Sequence, residues 1–208
     1  MERLRIARDM HDEIGSTLTE ISILGDLGRQ AASSPSQQSE MMEAMAGKSR
    51  EVLASITEII WAINPRNDEL DNLAGYVRRY ASRFCEQAGL RCRVSIPDDL
   101  PATRLSMEQR RNLFLVVKES LNNIVKHAGA SEVELCMSIV GEDLSLEISD
   151  NGRGFPPEGT RDGGTGLSSI RNRVEEIGGK LSITSGPGMG TRVSVYLKRG
   201  IAGKEPIR

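Results

Sequence analysis

The feature that most restricts the fold is a pair of apolar stripes at helical spacing in the first third of the chain. The first covers about residues 2–29, and the second ends at Asn64-Pro65 because proline disfavours helix in the residue before it. The polar segment 31–39 between them predicts a turn. Two such helices bury too little surface alone, so the pattern predicts a helical hairpin that pairs with a second copy as a dimeric four-helix bundle. The stripe residues are Leu4, Ala7, Met10, Ile14, Leu18, Ile21 and Leu24, then Met42, Met45, Val52, Ile56, Ile59 and Ile63.

The rest of the chain mixes helical and strand patterns and predicts an α+β domain. We therefore expect two domains, residues 1–66 and residues 67–208. Glycine-rich residues 185–190 predict the turn of a hairpin. The expected helices cover about residues 70–88, 106–127 and 166–177, and the expected strands about 91–96, 133–140, 144–148, 180–184 and 191–197.

Composition argues against several classes of function. The 208 residues carry a net charge of −2, without the basic excess of a nucleic-acid-binding protein. The three cysteines form no CxxC pair, which fits a reduced, cytosolic setting. No apolar run approaches the ~18 residues that cross a bilayer. We expect a cytoplasmic chain, and its start within a helix favours the intracellular end of a longer membrane protein, attached to the membrane through a region that this chain lacks.

His11 is the first candidate for chemistry. On a helical wheel it lies about 80° from the centre of the apolar stripe, at an edge that an incoming domain can reach. A neutral imidazole has one nitrogen lone pair free for attack, and Asp12 can accept a hydrogen bond from the other nitrogen. Gly15, one turn later, removes bulk beside the ring at a helix cost of about 1 kcal/mol against alanine. The alternative is a histidine at the edge of a bundle beside a solvated carboxylate.

A second polar group lies on the helix expected at residues 106–127. Glu119, Asn123, Lys126 and His127 recur at spacings of three and four, which bring them together. The carbonyl oxygen of Asn123 suits Mg²⁺, and Glu119 can bind the metal or its water. Lys126 and His127 can meet phosphate oxygens. The alternative is a solvated helix face.

A first glycine box follows the strand expected at residues 144–148. A carboxylate at Asp150 can accept the amino proton that distinguishes adenine from guanine. Gly152 and Gly154 let the backbone pass close to a base. Thr191, on a later strand, can turn its hydroxyl toward the adenine. The alternatives are a common Asp-x-Gly-x-Gly turn and an ordinary β residue.

A second glycine box contains Gly164, Gly166 and Leu167. It begins a helix, and backbone N–H groups at a helix start form a ready phosphate site. The glycine- and proline-rich segment before it has few apolar anchors, so we expect a mobile lid over the phosphates. The alternative is a flexible surface loop.

Taken together, these motifs resemble those of bacterial sensor histidine kinases. The resemblance extends over nearly the whole chain, with a phosphoacceptor box at residues 8–18 similar to that of the nitrate-sensor and DesK-like subfamily. Residues 119–127 resemble the family's N box, and the two glycine boxes resemble those of its GHKL ATP-binding fold, an α/β sandwich. Residues 61–68 resemble a subgroup of large sensors with periplasmic propeller domains.

The resemblance implies roles for several residues. His11 is then the phosphorylated residue, Asp12 its acid–base partner and Glu119 a further catalytic candidate. Asn123 binds Mg²⁺ and Asp150 reads the adenine of ATP. The implied partners are a second copy of the chain and the receiver domain of a response regulator, which accepts the phosphoryl group on an aspartate.

One position departs from the subfamily. Many members have a glutamine four residues after the aspartate of the phosphoacceptor box, and this chain has Ser16. The shorter hydroxyl puts phosphatase activity in doubt but leaves autokinase chemistry intact.

Two other functions fit parts of the sequence. One is a GHKL ATPase in which Glu119 activates water. The other is a catalytically inactive dimerisation scaffold. The sequence also leaves open the stimulus, the cognate regulator, and whether transfer runs within or between subunits.

Overall fold

The computed structural model describes residues 2–30, 35–141, 143–156 and 165–198, with backbone only for residues 2–13, 30, 35, 62, 63, 65 and 165. Internal contacts divide the chain into two compact units, Met1–Asn64 and Pro65–Arg208. Within the part described, no helix is both long and apolar enough to cross a membrane.

The first unit is a helical hairpin. Helix α1 covers Glu2–Gln30 and helix α2 covers Pro35–Ile63. The helices pack closely near their connection, where a Cβ at Gly25 would lie 3.5 Å from Met45 Cε. Lys48 on α2 pairs with Glu20 on α1 at 2.9 Å. The hairpin confirms the prediction from the apolar stripes.

Helix α2 begins earlier than predicted. The sequence predicts a turn through residue 39, whereas the helix already includes residues 35–39. Pro35 occupies the first helical position, where the fixed φ of proline suits a helix and its missing N–H costs no intrahelical hydrogen bond. Residues 31–34 of the predicted turn lie outside the described residues.

Among its described residues, the second unit places three α-helices against a five-stranded sheet. The helices are α3 (Leu70–Ala88), α4 (Met107–Asn123) and α5 (Thr165–Glu176). The strands are β1 (Arg91–Ser95), β2 (Glu132–Val140), β3 (Asp143–Asp150), β4 (Lys180–Ser185) and β5 (Thr191–Lys198). Their order is β1-β2-β3-β5-β4, with β1 parallel to β2 and the remaining neighbours antiparallel. The α+β class predicted from sequence is therefore confirmed.

One face of the sheet carries the core. Side chains alternate between buried and partly exposed along β2 and β3, as a sheet covered on one side requires. The opposite face carries cross-strand ion pairs, including Arg91 with Glu132 and Arg192 with Glu147. Core residues from both layers are Leu73, Val77, Leu113, Val117, Leu121, Leu135, Met137, Leu146, Ile148, Ile170 and Val195.

Hydrogen bonds and an ion pair connect the segment before α3 with the segment before α4. Leu105 N donates to Asp68 O at 2.7 Å, and Leu70 N donates to Thr103 O at 2.8 Å. Arg110, only 2% exposed, forms an ion pair with Asp68 and donates to Leu105 O at 3.0 Å. The entry into the second unit is therefore tied to α4, a helix that contributes part of the candidate site.

Helix α4 begins at a capping box and continues into a π-helical turn. Ser106 Oγ accepts from Gln109 N at 3.1 Å, while Gln109 Oε1 accepts from Ser106 N at 2.9 Å. The helix predicted over residues 106–127 is confirmed, and its last residues, Ile124–Ala128, form a π-helical turn that ends at Gly129 with φ of 61°. Such wide turns recur at functional sites, and this one forms part of the cavity wall described next.

Candidate functional site

A cavity of about 380 Å³ lies in the second unit, between α4 with its π-helical turn, the ends of β3 and β5, and the start of α5. The two glycine boxes and the polar face of α4 predict a site at this place, and the structure brings most of their residues together. The predicted residues that line the cavity are Glu119, Asn123, Lys126, His127, Asp150, Gly154, Gly166, Leu167 and Thr191.

Asp150 is the last residue of β3 and holds its carboxylate at the cavity. Its Oδ1 accepts a hydrogen bond from Gly152 N at 2.7 Å. Burial raises the pKa of Asp150 above its usual 3.8, while backbone hydrogen bonds from Gly152 and Thr191 act to lower it. The carboxylate is thus fixed in direction and keeps oxygen lone pairs that can accept an amino group.

Gly152 lies beside the cavity and is required by a close approach of two backbone segments. A Cβ at this position would lie 2.5 Å from Ala128 O. Arg153 N donates to the same Ala128 O at 2.9 Å, so the glycine box closes against the π-helical turn. Gly154 has φ of 60°, and a Cβ there would lie 2.1 Å from Gly186 O. Both glycines therefore shape the loop rather than contribute functional groups.

Glu119 and Asn123 face the start of α5. A Cβ at Gly166 would lie 2.4 Å from Glu119 Oε1 and 3.1 Å from Asn123 Oδ1. A side chain at position 166 would therefore displace the end of Glu119 and crowd Asn123. Asn123 Nδ2 is buried and has no hydrogen-bond partner within the described chain. An unsatisfied buried amide is costly, and polar atoms of a ligand in the cavity would satisfy it.

The rim of the cavity is basic. Lys126 and His127 are exposed, and both lie on the π-helical turn. The Lys126 ammonium and an N–H of the His127 ring can donate hydrogen bonds to the charged end of a ligand at the mouth of the cavity. The arrangement agrees with the phosphate role predicted for these two residues and leaves that role as a prediction.

The part of the chain that the structure describes contains no cluster of three or more His, Cys, Asp and Glu side chains able to hold a metal ion alone. Mg²⁺ does not need such a cluster, since it commonly takes one or two protein oxygens together with phosphates and water. Glu119 and Asn123, which both lie against Gly166, supply oxygens of the suitable type. The donor set therefore fits Mg²⁺ bound together with a phosphorylated ligand.

Ser185 is a residue that the sequence analysis missed. Its Oγ accepts from Phe155 N at 3.0 Å, donates to Gly190 O at 2.9 Å and lies 3.0 Å from Thr191 Oγ1. One hydroxyl thus connects the end of the first glycine box with the strand that carries Thr191. Its position before a Gly-Pro turn indicates only a hairpin, because its main partner, Phe155, is distant in sequence.

The sequence analysis also missed the floor of the cavity. Ile148, Ile170 and Val193 line it and are at most 5% exposed, and Ser120 joins them from α4. Alternation along the strands marks such residues as core without distinguishing the part of the core that borders a cavity. Phe155 and Arg153 complete the wall near the glycine box.

Three predicted residues cannot be compared with this geometry. The backbone at His11 and Asp12 belongs to α1, but their side chains lie outside the described residues, as does Gly164. Their roles remain predictions.

Two protein families match the chain. Residues 2–68 match the family described as "Histidine kinase" (HisKA_3). Residues 108–201 match the family described as "Histidine kinase-, DNA gyrase B-, and HSP90-like ATPase" (HATPase_c). The second match includes every described residue that lines the cavity.

Curated relatives are sensor kinases longer than this chain. The signal transduction histidine-protein kinase/phosphatase UhpB of Salmonella typhimurium is 36% identical over 197 residues, covering 94% of this chain and 38% of UhpB. The nitrate/nitrite sensor protein NarQ of Escherichia coli is 26% identical over 199 residues, covering 95% of this chain and 35% of NarQ. The chain thus spans little more than a third of the length of these two relatives.

Solved structures agree on the fold. The histidine kinase domain of the Erythrobacter litoralis EL346 blue-light activated histidine kinase aligns with a TM-score of 0.56 at 22% identity, covering 92% of this chain and 94% of that domain. At this level of identity the likeness concerns the fold.

Proposed function

Because this chain belongs to the sensor histidine kinases, we propose that it binds ATP in the cavity of the second unit and transfers the γ-phosphoryl group to His11. The observation that carries this proposal is the convergence of Asp150, Asn123 and Glu119 on one cavity with a basic rim. We further propose that residues 1–66 form the dimerisation and phosphotransfer hairpin and residues 67–208 the ATP-binding domain.

The cavity has separate places for the two ends of a nucleotide. The adenine lies in the deep apolar part, where the carboxylate of Asp150 accepts a hydrogen from its amino group. The phosphates extend toward Lys126 and His127 at the exposed rim. The backbone at Gly166 and Leu167 then contributes N–H groups at the start of α5.

Glu119 and Asn123 would hold Mg²⁺ through their side-chain oxygens. When bound, the ion neutralises negative charge on the phosphate oxygens. Asn123 Nδ2, which is buried without a partner among the described atoms, gains a phosphate oxygen as acceptor when the nucleotide is present.

Transfer is a single displacement at phosphorus. A ring nitrogen of His11 forms the new N–P bond, the bond between the γ-phosphorus and the bridging oxygen breaks, and ADP leaves. Asp12 accepts the hydrogen bond from the other ring nitrogen and stabilises the positive charge that develops on the ring. Catalysis rests on positioning and on charge neutralisation, as in other phosphoryl transfers.

The hairpin supports assembly with a second copy. Leu53, Ile56 and Ile60 form one stripe on α2 at helical spacing, and they are 65%, 37% and 59% exposed. Leu18, Ile23 and Leu27 on α1 are also exposed. Burying these side chains requires a partner surface, and a second hairpin supplies one of matching character. We therefore propose a homodimer built on a four-helix bundle.

The phosphoryl group on His11 then passes to an aspartate in the receiver domain of a response regulator. Because the relatives NarQ and UhpB are longer than this chain, we propose that this region is the cytoplasmic kinase core of a larger sensor, working where ATP and receiver domains are present.

Incubation with γ-labelled ATP tests the proposal. We expect label on the protein that is lost in acid and survives base, as phosphohistidine does, and no label on a His11→Gln variant that still binds ATP. Release of labelled phosphate without stable protein label would indicate an ATPase instead. The absence of nucleotide binding would indicate a scaffold.

A further inference from the structure

Ser120 is a buried polar residue whose hydroxyl has no use in the fold itself. It lies on α4, is 3% exposed and lines the cavity. Its Oγ has no hydrogen-bond partner among the described residues. A serine inside a helix commonly bonds to the carbonyl oxygen four residues earlier, and this one does not. A hydroxyl left unsatisfied in a core is costly, so a role in binding explains its presence better than a role in packing.

The surroundings of Ser120 place it at the base end of the cavity. Ile148, Ile170 and Val193 line the same cavity, and like Ser120 they are at most 5% exposed. The other polar residues that line the cavity are half-buried or exposed, and Lys126 and His127 are at the rim. A purine base has apolar faces and a polar edge, so it matches an apolar floor with a few fixed polar groups. The charged phosphates match the exposed polar rim of the cavity.

Ser120 approaches the cavity from the layer opposite Asp150. Asp150 and Thr191 stand in register on neighbouring strands of the sheet, whereas Ser120 belongs to the helical layer. A base between the layers therefore meets polar groups from both sides. Asp150 takes the amino group, and the ring nitrogens on either side of that group are acceptors without hydrogens. At this end of the cavity, the Ser120 hydroxyl can donate a hydrogen bond and has no acceptor among the described residues.

We propose that Ser120 determines recognition of the adenine ring by donating a hydrogen bond to one of the two ring nitrogens next to the amino group. The inference rests on the proposed binding of ATP in this cavity and extends it to a contact that the sequence motifs do not include.

The test compares ADP with its 1-deaza and 7-deaza analogues, in which one ring nitrogen is replaced by C–H. Affinities are measured by calorimetry on the full chain for the wild type and for Ser120→Ala. We expect Ser120→Ala to bind ADP about fivefold to tenfold more weakly, as loss of one hydrogen bond predicts. With one of the two analogues, wild type and Ser120→Ala should bind equally, because the acceptor is already gone. With the other analogue, the difference should persist.

Two further measurements distinguish a binding role from a structural one. The nucleotide-free Ser120→Ala protein should melt at the same temperature as the wild type or higher, since the change removes an unsatisfied buried hydroxyl. Ser182→Ala is the matched control, because Ser182 is exposed on β4 and does not line the cavity. It should leave both affinity and melting temperature unchanged.

The outcomes separate this inference from the proposed function. If Ser120→Ala binds ADP as well as the wild type does, or loses the same factor with ADP and with both analogues, the contact with a ring nitrogen is wrong while ATP binding stands. If the wild type does not bind ADP, the proposed function itself is wrong.

Discussion

The hydroxyl groups of Ser185 and Thr191 lie 3.0 Å apart, which links the end of β4 to the strand position opposite Asp150. The same Ser185 Oγ accepts from Phe155 N, and Phe155 lines the cavity. Ser185, which does not line the cavity, therefore holds two residues that do, Phe155 and Thr191. Ser185 is therefore a positioning residue for the proposed nucleotide site.

Replacement of Ser185 tests this role. Ser185→Ala removes the acceptor for Phe155 N and frees the Thr191 hydroxyl. We expect the KM for ATP to rise about threefold to tenfold, with kcat for autophosphorylation little changed, because the reacting groups are elsewhere. Thr184→Ala is the control, because Thr184 precedes Ser185 on β4 and is exposed. This variant should leave the KM for ATP unchanged. A fall in kcat at constant KM would contradict a positioning role.

Gly166 is predicted to be required for activity rather than for stability. Alanine in a helix normally stabilises by up to about 1 kcal/mol over glycine, but a Cβ at Gly166 would lie 2.4 Å from Glu119 Oε1. Gly166→Ala should displace the Glu119 side chain and lower the rate of autophosphorylation about tenfold or more, with little loss of unfolding free energy.

Gly75→Ala in α3 is the matched control for that change. Its Cβ would lie 3.4 Å from Arg79 Nη1, the end of a flexible side chain. This variant should gain about 1 kcal/mol of stability and keep full activity. Equal activities of the two variants would show that the spacing at Gly166 is not functionally important.

The ion pair between Asp68 and Arg110 should stabilise the second unit. Arg110 is 2% exposed, so Asp68→Asn leaves a buried guanidinium without its carboxylate. Because the Asp68 side chain is 42% exposed, we expect a loss of about 1–3 kcal/mol in urea denaturation, less than for a fully buried pair. Adding Arg110→Met should recover much of the loss.

An exposed ion pair serves as the comparison. Glu132→Gln breaks the surface pair with Arg91 and should change the unfolding free energy by no more than about 0.5 kcal/mol. If Asp68→Asn costs as little as Glu132→Gln, the tie between the segments before α3 and α4 contributes nothing to stability.

The raised pKa of Asp150 predicts that the difference in stability between the wild type and an Asp150→Asn variant depends on pH. Burial raises the pKa of this carboxyl above 3.8 in the folded state. Its contribution to stability is therefore fully present below the unfolded pKa and is lost as pH rises through the folded pKa. Asp150→Asn has no such loss, so its stability relative to the wild type should increase as the pH rises from about 3.8 through the raised folded-state pKa.

Nucleotide binding should respond in the opposite direction to the same substitution. In the proposed binding mode the ionised carboxylate accepts a hydrogen bond from the adenine amino group, so Asp150→Asn should bind ATP more weakly than the wild type at neutral pH. Denaturation curves at several pH values, together with calorimetric affinities, measure both effects. Parallel stability curves for the two proteins would show that burial of this carboxyl has no energetic consequence.

The exposed stripe on α2 predicts a dimer that depends on apolar contacts. Leu53→Glu combined with Ile60→Glu should convert a dimer to a monomer in light scattering, because each buried glutamate would lack a partner. Val140→Glu places the same charge on an exposed apolar residue of the second unit and should leave the dimer intact. A monomeric wild type would contradict the proposed homodimer.

Hydrophobic periodicity and turn residues within short segments were sufficient to predict most of the helices and strands. Leu70–Ala88 and the strands on either side of residues 185–190 lie close to their predicted bounds, because each depends on periodicity and on turn residues within a short window. The polar face of α4 was also predictable, since three- and four-residue spacings bring side chains together on any helix.

Features set by distant partners were not predictable. The π-helical turn at Ile124–Ala128 receives a hydrogen bond from Arg153 N, and Ser185 bonds to Phe155 thirty residues earlier. Ser120 has the pattern of any small core residue of a helix, and its significance depends on the cavity that α4, α5 and the sheet enclose together. None of these relationships has a signature within one segment.

The most direct test of the central claim locates the phosphoryl group itself. After reaction with ATP at neutral pH, the protein is digested under basic conditions, which preserve phosphohistidine, and the peptides are sequenced by tandem mass spectrometry. We predict one ATP-dependent phosphorylated residue, His11, and its loss in an Asp150→Asn variant at limiting ATP. Phosphate on any other residue, or an unmodified peptide around His11 in a protein that binds ATP, would contradict the account.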